Sequence, residues 1–329
     1  MVWGKSFVQM CYFFAMNRRR NIVYEHQTRI NEVLYRIHSD LSAALDIGRL
    51  AQEACYSPYH FQRIFKQITG ESVHDYIRRC RLEWAANLLV YNRSMAIVDV
   101  AAECGFHSNA AFNHAFRSSF GCSPTHWRRE GYQERSRLLK SAWSESLLNP
   151  HRQYYRDTLD GKNPSVPRQV EIKRLQSQPV AYMRHVGYDQ RIREVWAHLL
   201  EWGAVHGMDV ENGQMIGLHH SNPDLVPFDQ CRYVACLTLP EPIYPSDGVG
   251  VMTIPGGLHA CCRAEGMFGD LLYLMRDLYM HWLPASDYQA RSIPPHALYR
   301  DNHFINQSGH FNLEFRIPIT RKAAAPCRR

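Results

Sequence analysis

Two short apolar runs separated by a tight corner mark the part of the chain with the clearest helical periodicity. The first run lies at 47–54, and the second begins after Ser57-Pro58. Serine is favoured as a helix N-cap and proline at the first helical position. The apolar positions that follow recur at helical spacing, and they are Phe61, Ile64, Phe65 and Ile68. Gly70 ends the helix. The pattern therefore predicts a helix-turn-helix.

The same pattern recurs about fifty residues later. An apolar run at 97–104 is followed by a corner at Gly105-Phe106. A second helix begins after Ser108 and ends at Gly121. Its apolar positions also repeat at helical spacing, and they are Phe112, Ala115, Phe116 and Phe120. A long helix over 72–92 is predicted between the two copies.

The copies and the helix between them resemble a known family. Residues 57–89 and 96–129 are similar to the double helix-turn-helix domain of AraC/XylS-type transcription regulators. The resemblance implies double-stranded promoter DNA as a partner. It also implies two recognition helices in successive major grooves, with the helix 72–92 setting their separation near one helical turn, roughly 34 Å.

The resemblance also identifies candidate DNA contacts on the polar faces of the two recognition helices. Side chains at these positions would read base edges: Tyr59, Gln62, Arg63, Asn109, Asn113 and His114. Lys66 and Arg117 end the exposed faces and suit phosphates. The alternative for each of them is an ordinary solvated helix residue.

The distribution of charge agrees with a DNA-binding N-terminal half. Of the 38 Lys and Arg and 31 Asp and Glu in the chain, residues 1–140 hold 19 and 12, so they carry the whole net charge of +7. A basic excess of this kind is what a phosphate-binding surface requires. Composition is otherwise ordinary for a globular protein, and 329 residues favour two domains over one.

After Pro167 the pattern changes from helical spacing to alternation. Strand-like runs and helices follow one another in an order that occurs twice, as expected for a duplicated strand–helix–strand–strand module. The first copy is predicted at 180–187, 190–205, 214–219 and 231–239, after a leading strand at 170–175. The second is predicted at 259–265, 268–283, 297–300 and 311–319, after a strand at 250–254. Such a duplication predicts a sheet with its helices on one face and the other face free for a ligand.

Residues 169–319 resemble GyrI-like effector-binding domains. The similarity rests on the segments 184–187, 230–236, 254–257 and 312–319. It implies a glutamate on the last strand, here Glu314, facing a lipophilic cationic ligand in an aromatic cleft. Candidate cleft walls are Tyr182, Trp196, Tyr233 and Phe315. The alternative is that Glu314 is paired with Arg184 or Arg316.

These observations predict a multidomain chain, in which an all-α double helix-turn-helix domain precedes an α+β GyrI-like domain. A helix from Ile30 is expected to pack on the first repeat. The Pro- and Gly-rich run at 161–167 predicts a boundary. The expected parts are a disordered leader at 1–25 or a start at Met16, the DNA-binding domain at 26–132, a linker at 133–168, the effector domain at 169–320 and a tail at 321–329.

The expected function is sequence-specific transcription regulation controlled by a small-molecule effector. Two alternatives remain, a hydrolase that uses the pocket glutamate and a ligand-free platform for protein interactions. We expect no enzyme activity, a cytoplasmic location and RNA polymerase as a further partner. No cofactor is expected, and no metal site, because the vicinal His219 and His220 point to opposite faces of a strand. The apolar run 8–16 is too short to cross a membrane. The ten cysteines lack metal-binding spacing and are expected to be reduced and mostly buried.

Overall fold

The computed structural model describes residues 25–145, 169–189, 191–210, 213–240, 243, 248–267 and 270–322. The expected leader and tail lie almost wholly outside these residues, as does most of the expected linker. In the described part the chain is helical up to residue 145 and sheet-rich from residue 170.

The N-terminal half consists of helices whose ends follow the capping signals of the sequence. Helix α1 covers residues 25–39. The two helix-turn-helix units are confirmed, since Ser57 and Ser108 cap their second helices and Gly70 and Gly121 end them in left-handed conformation. The remaining helices of this half are α2 (Ile47–Glu53), α3 (Pro58–Thr69), α4 (Val73–Tyr91), α5 (Ile97–Glu103), α6 (Asn109–Phe120), α7 (Pro124–His126) and α8 (Tyr132–Glu145), with a π-helical turn at Trp127–Gly131 between the last two.

Each helix-turn-helix unit has its own apolar core, and α4 contributes to both. The first core joins Phe61 and Phe65 to Ile30 and Ile37 of α1, so the expected packing of the first helix is confirmed. The second core is built around Phe112, Phe116 and Trp127. With 19 residues, α4 is about 28 Å long. It therefore acts as a rigid spacer between the two units.

One of the cysteines, which were expected to be mostly buried, is exposed. Cys55 is exposed and sits in the turn between α2 and α3 with a φ of 56°, in the left-handed region. The turn requires that conformation, which places the side chain outside the core. Cys104, at the equivalent corner of the second unit, is buried as expected.

The C-terminal half is an antiparallel sheet with helices on one face. Its elements are β1 (Val170–Leu175), β2 (Gln178–Val186), α9 (Arg191–Val205), β3 (Met215–His219), β4 (Arg232–Thr238), β5 (Gly250–Ile254), β6 (Gly257–Met267), α10 (Asp270–Asp277), α11 (Leu283–Ala285), β7 (Tyr288–Ala290), β8 (His296–Asp301) and β9 (His310–Arg321). The strands lie in the order β1-β6-β9-β8-β3-β4-β2-β5. The two modules, β2-α9-β3-β4 and β6-α10-β8-β9, meet where β3 pairs with β8. The expected duplication is thus visible as a pseudo-twofold arrangement.

The two faces of the sheet have different environments. Helices α9 and α10 cover the inner face, and the main core lies between them and residues such as Tyr233 and Phe315. The outer face carries a smaller apolar cluster that includes Val180, Ile216 and Val234. The outer face also meets the helical half of the molecule, where Asn31 of α1 donates a hydrogen bond to the Val251 carbonyl.

Candidate functional site

The residues expected to contact DNA all lie on exposed helix faces. On α3 the side chains of Tyr59, Gln62, Arg63 and Lys66 are exposed, and Tyr59 is 82% exposed. This exposure follows from the local sequence, because Phe61, Ile64 and Phe65 take the buried positions of the same helix. One face of α3 therefore offers a guanidinium, an amide and an ammonium to solvent.

Helix α6 presents a matching but less charged face. Its candidate contacts are all exposed: Asn109, Asn113, His114 and Arg117. The side-chain amide of Asn113 donates to the Asn109 carbonyl at 2.7 Å, which leaves its oxygen free to accept from a base edge. The structure thus places the eight residues on the exposed faces of α3 and α6, with α4 between the two units.

The residues expected to line a ligand cleft lie on opposite faces of the sheet. Trp196, Tyr233 and Phe315 are fully buried on the inner face, where the Trp196 indole donates to the Tyr233 hydroxyl at 3.2 Å. Tyr182 and Glu314 belong to the outer face. The pairing register places four strand steps between these two, about 19 Å. The expectation of one cleft with these five residues was therefore wrong, because strand phase is not visible in the sequence.

Glu314 is compensated within the protein. Its carboxylate accepts from Arg316 Nε at 2.7 Å and from Lys173 Nζ at 2.8 Å, and Arg263 Nε lies 4.0 Å away. Burial raises the pKa of Glu314, but the hydrogen bonds from Lys173 and Arg316 outweigh burial and hold that pKa below its usual value. Of the two partners considered from the sequence, Arg316 is correct. Arg184 is not, and no cationic ligand is needed to balance the carboxylate.

A cavity of about 360 Å³ lies elsewhere on the outer face, between the sheet and α1. Its volume falls within the range of small-molecule sites. Helix α1 contributes Asn31, Leu34 and His38, and strands β3 and β4 contribute Leu218 and Val234. The sequence predicted that this face of the sheet would be free for a ligand, but it did not predict that α1 forms the second wall, since the two walls come from distant parts of the chain.

Polar contacts fix the cavity walls to each other. Asn31 donates to the Tyr182 hydroxyl at 3.0 Å, and its oxygen accepts from Arg184 Nη2 at 2.6 Å. His38 and His220 meet edge to face with ring centroids 5.2 Å apart. Burial lowers the pKa of His38 to about 3, so this ring is neutral at neutral pH. The cavity is therefore bounded by both halves of the molecule.

The described residues form no metal centre. The described part of the chain holds no group of three or more His, Cys, Asp or Glu side chains that could bind an ion. His219 bonds to the Tyr188 hydroxyl at 2.7 Å on the inner face, whereas His220 contacts His38 on the outer face. None of the helices in the described ranges is long and apolar enough to span a bilayer.

The matches to known protein families divide the chain into the same helical and sheet-rich halves. Residues 50–130 match a helix-turn-helix domain, and residues 168–320 match a GyrI-like small molecule binding domain. The probable transcription factor PqrA of Proteus vulgaris is 34% identical over 104 residues, which are 31% of this chain and 84% of PqrA. The chain belongs to the AraC-type transcription regulators.

Other AraC-type regulators are also similar to part of this chain. The transcriptional activator AarP of Providencia stuartii is 33% identical over 99 residues, 30% of this chain and 73% of AarP. The transcriptional regulator Rob of Salmonella typhimurium is 34% identical over 121 residues, 37% of this chain and 38% of Rob. The solved DNA-binding domain of AdpA, in complex with a target DNA, is 30% identical with a TM-score of 0.31 and covers 33% of this chain and 96% of that domain.

This AraC-type protein is thus a DNA-binding transcription regulator with a C-terminal GyrI-like domain. The expected multidomain fold class, all-α followed by α+β, is confirmed. The named relatives are transcription regulators, not enzymes.

Proposed function

We propose that this regulator responds to a small-molecule effector bound in the cavity between α1 and the outer face of the sheet. The observation that supports the proposal is that the cavity draws its walls from both halves of the molecule. The matched GyrI-like small molecule binding domain supports it further. The eight exposed residues of α3 and α6 are the proposed DNA contacts.

The position of α1 provides a physical route from effector to DNA. Ile30, Val33 and Ile37 of this helix are part of the core of the first helix-turn-helix unit. The other side of α1 carries Asn31 and Tyr35, which line the cavity. An effector that binds one arrangement of α1 more tightly than another shifts the equilibrium between the two arrangements by the difference in its binding free energies. The first recognition helix shares a core with α1 and responds to that equilibrium.

A cavity-filling substitution tests this proposal. Met252 lines the cavity and is half-buried, so Met252→Trp should occupy the space with little disturbance of the fold. We expect compounds that raise the melting temperature of the wild type in a screen of small molecules to lose that effect with Met252→Trp. The matched control is Val186→Trp, at a position that is 49% exposed and does not line the cavity.

Compounds that stabilise the wild type and Met252→Trp equally would contradict the proposal. A second readout follows from reciprocity, because an effector that changes DNA affinity must have its own affinity changed by DNA by the same factor. Titration of the effector with and without DNA measures that factor. A factor of one would leave a binding site without a regulatory role.

We also propose that the protein is not an enzyme, that RNA polymerase is a further partner and that the protein acts in the cytoplasm. The first point is supported by the regulatory relatives and by the engagement of Glu314, the candidate hydrolytic carboxylate, with Arg316 and Lys173. The other two follow from the role of a transcription regulator. Co-purification of polymerase with the DNA-bound full chain, compared with DNA alone, tests the second point.

A further inference from the structure

The two charged residues that line the cavity differ in their exposure to solvent. Of the described residues that line it, Arg184 and Glu32 are the two with permanent charges. Glu32 is exposed on α1, so solvent screens its carboxylate. Arg184 is half-buried on β2, between the two halves of the molecule. The less solvated charge of the cavity is therefore positive.

The guanidinium of Arg184 is held by neutral groups. Its Nη1 donates to the Tyr182 hydroxyl at 2.6 Å, and its Nη2 donates to the Asn31 side chain at 2.6 Å. It also stacks over the Tyr182 ring, 4.4 Å from the centroid. Within the described ranges, no carboxylate lies within 4.0 Å of it. A guanidinium has five N–H donors, so further donors remain for a ligand.

A buried histidine adds unused hydrogen-bonding capacity. His296 lines the cavity and is 3% exposed, and its Nδ1 has no hydrogen-bond partner among the described residues. The neighbouring His259 ring lies edge to face with it at 5.3 Å. Burial holds the pKa of His296 well below its usual value, so the ring is neutral. Natural proteins leave few buried polar atoms without a partner. Three strand steps, about 14 Å, separate His296 from Arg184, so a ligand would need a second polar atom to reach His296.

Much of the remaining wall is apolar. Its apolar lining residues include Leu218, Val234, Ile254, Ile293, Pro255, Pro294 and Pro318. An occupant must therefore combine an apolar body with a small polar group. A cationic group would meet the positive charge of Arg184, whereas a carboxylate would form charge-assisted, bidentate hydrogen bonds with it.

We infer that the effector is an apolar molecule with one anionic group, such as a carboxylate, and that Arg184 binds this group. The inference rests on the proposed function, since it assigns the class of effector for the same cavity. It differs from the lipophilic cation expected from the sequence. That expectation depended on Glu314, which does not line the cavity, lies about 19 Å from Tyr182 along the sheet register and is already paired with Lys173 and Arg316.

Three naphthalene probes that differ in their polar group test the inference. Naphthalene-2-carboxylate, 2-naphthylmethylammonium and 2-naphthylmethanol are titrated calorimetrically into the full chain. We expect the carboxylate to bind the wild type at least tenfold more tightly than the ammonium compound, about 1.4 kcal/mol. Arg184→Met should remove this preference, and Arg184→Lys should retain part of it. The matched control is Arg263→Met, an exposed arginine outside the cavity, which should keep the full preference.

The possible outcomes distinguish a wrong class of effector from a wrong binding site. Equal or tighter binding of the ammonium compound to the wild type would overturn the inference, as would a preference for the carboxylate that survives in Arg184→Met. If the three probes bind equally and Met252→Trp abolishes their binding, the cavity stands and the anionic assignment fails. If carboxylate binding persists in Met252→Trp, or if none of the probes binds, both proposals fail.

Discussion

Arg63 and Lys66 lie on the exposed face of α3 about one turn apart, and they offer different chemistry to DNA. A guanidinium can bind the O6 and N7 atoms of guanine with two hydrogen bonds, whereas an ammonium at the end of the helix suits a phosphate. The sequence predicted both positions, because helical periodicity and capping residues are local signals.

Substitution of these two residues should have different consequences. Arg63→Ala should cost about 1–3 kcal/mol on the preferred site and relax the choice of base at one position. Lys66→Ala is the control, and it should weaken all sequences about equally and reduce the salt slope by roughly one. Binding measurements on matched and mismatched sites over a range of salt concentrations distinguish the two. An unchanged sequence preference in Arg63→Ala would exclude it as a base reader.

We expect His38 to make the stability of the molecule depend on pH. Burial first, and then the nearby charges of Arg79 and Arg184, lower its pKa from 6.5 to about 3. Between these values the unfolded chain binds a proton that the folded protein does not, so stability falls as the pH decreases below 6.5. At pH 5 this residue alone should cost about 2 kcal/mol.

Urea unfolding at pH 7.5 and pH 5 tests this prediction. His38→Gln keeps a hydrogen-bonding group near the Tyr76 hydroxyl, which His38 Nε2 contacts at 2.8 Å, but cannot be protonated. We expect the variant to lose about 2 kcal/mol less than the wild type between the two pH values. His220 and His296 also have lowered pKa values, so the variant should retain part of the decline. An identical decline in both proteins would show that His38 is not the group responsible.

The loop between β3 and β4 shows what sequence patterns could not predict at the scale of elements. Leu225 of this loop is 2% exposed and belongs to the core of the second helix-turn-helix unit. Nearby, Asn222 donates to Asn87 at 2.8 Å and to the Tyr91 hydroxyl at 2.6 Å. Helices and strands with clear periodicity were predicted, whereas this contact and the three-residue β7 depend on tertiary packing alone.

Leu225→Ala should loosen the second helix-turn-helix unit although it lies in the other half of the chain. Loss of a buried leucine typically costs about 2–5 kcal/mol. We expect faster amide hydrogen exchange in α5 and α6. The control, Leu274→Ala, removes a fully buried leucine from the core of the C-terminal half and should leave α5 and α6 protected. Unchanged exchange in α5 and α6 of Leu225→Ala would contradict this account.

At the scale of the whole molecule, the C-terminal half contacts both DNA-binding units. Arg232 reaches Glu71 at 3.0 Å beside the first unit. Beside the second unit, Ser136 of α8 accepts from Arg276 at 3.1 Å and donates to Asp224 at 3.3 Å. The ring of Tyr279 stacks on Tyr91 of α4 at 4.9 Å. Sequence patterns divided the chain into two parts but did not reveal these contacts, because each joins residues far apart in the sequence.

We propose that one chain binds DNA through α3 and α6 in successive major grooves. The most direct measurement is a footprint of the full chain on DNA selected from random sequences, repeated with Arg63→Ala and His114→Ala. We predict two contacted major-groove segments, separated by about 10–10.5 base pairs, at one chain per site. Arg63→Ala should weaken one segment and His114→Ala the other. A single contacted segment, or a loss in the same segment for both variants, would contradict this mode of DNA binding.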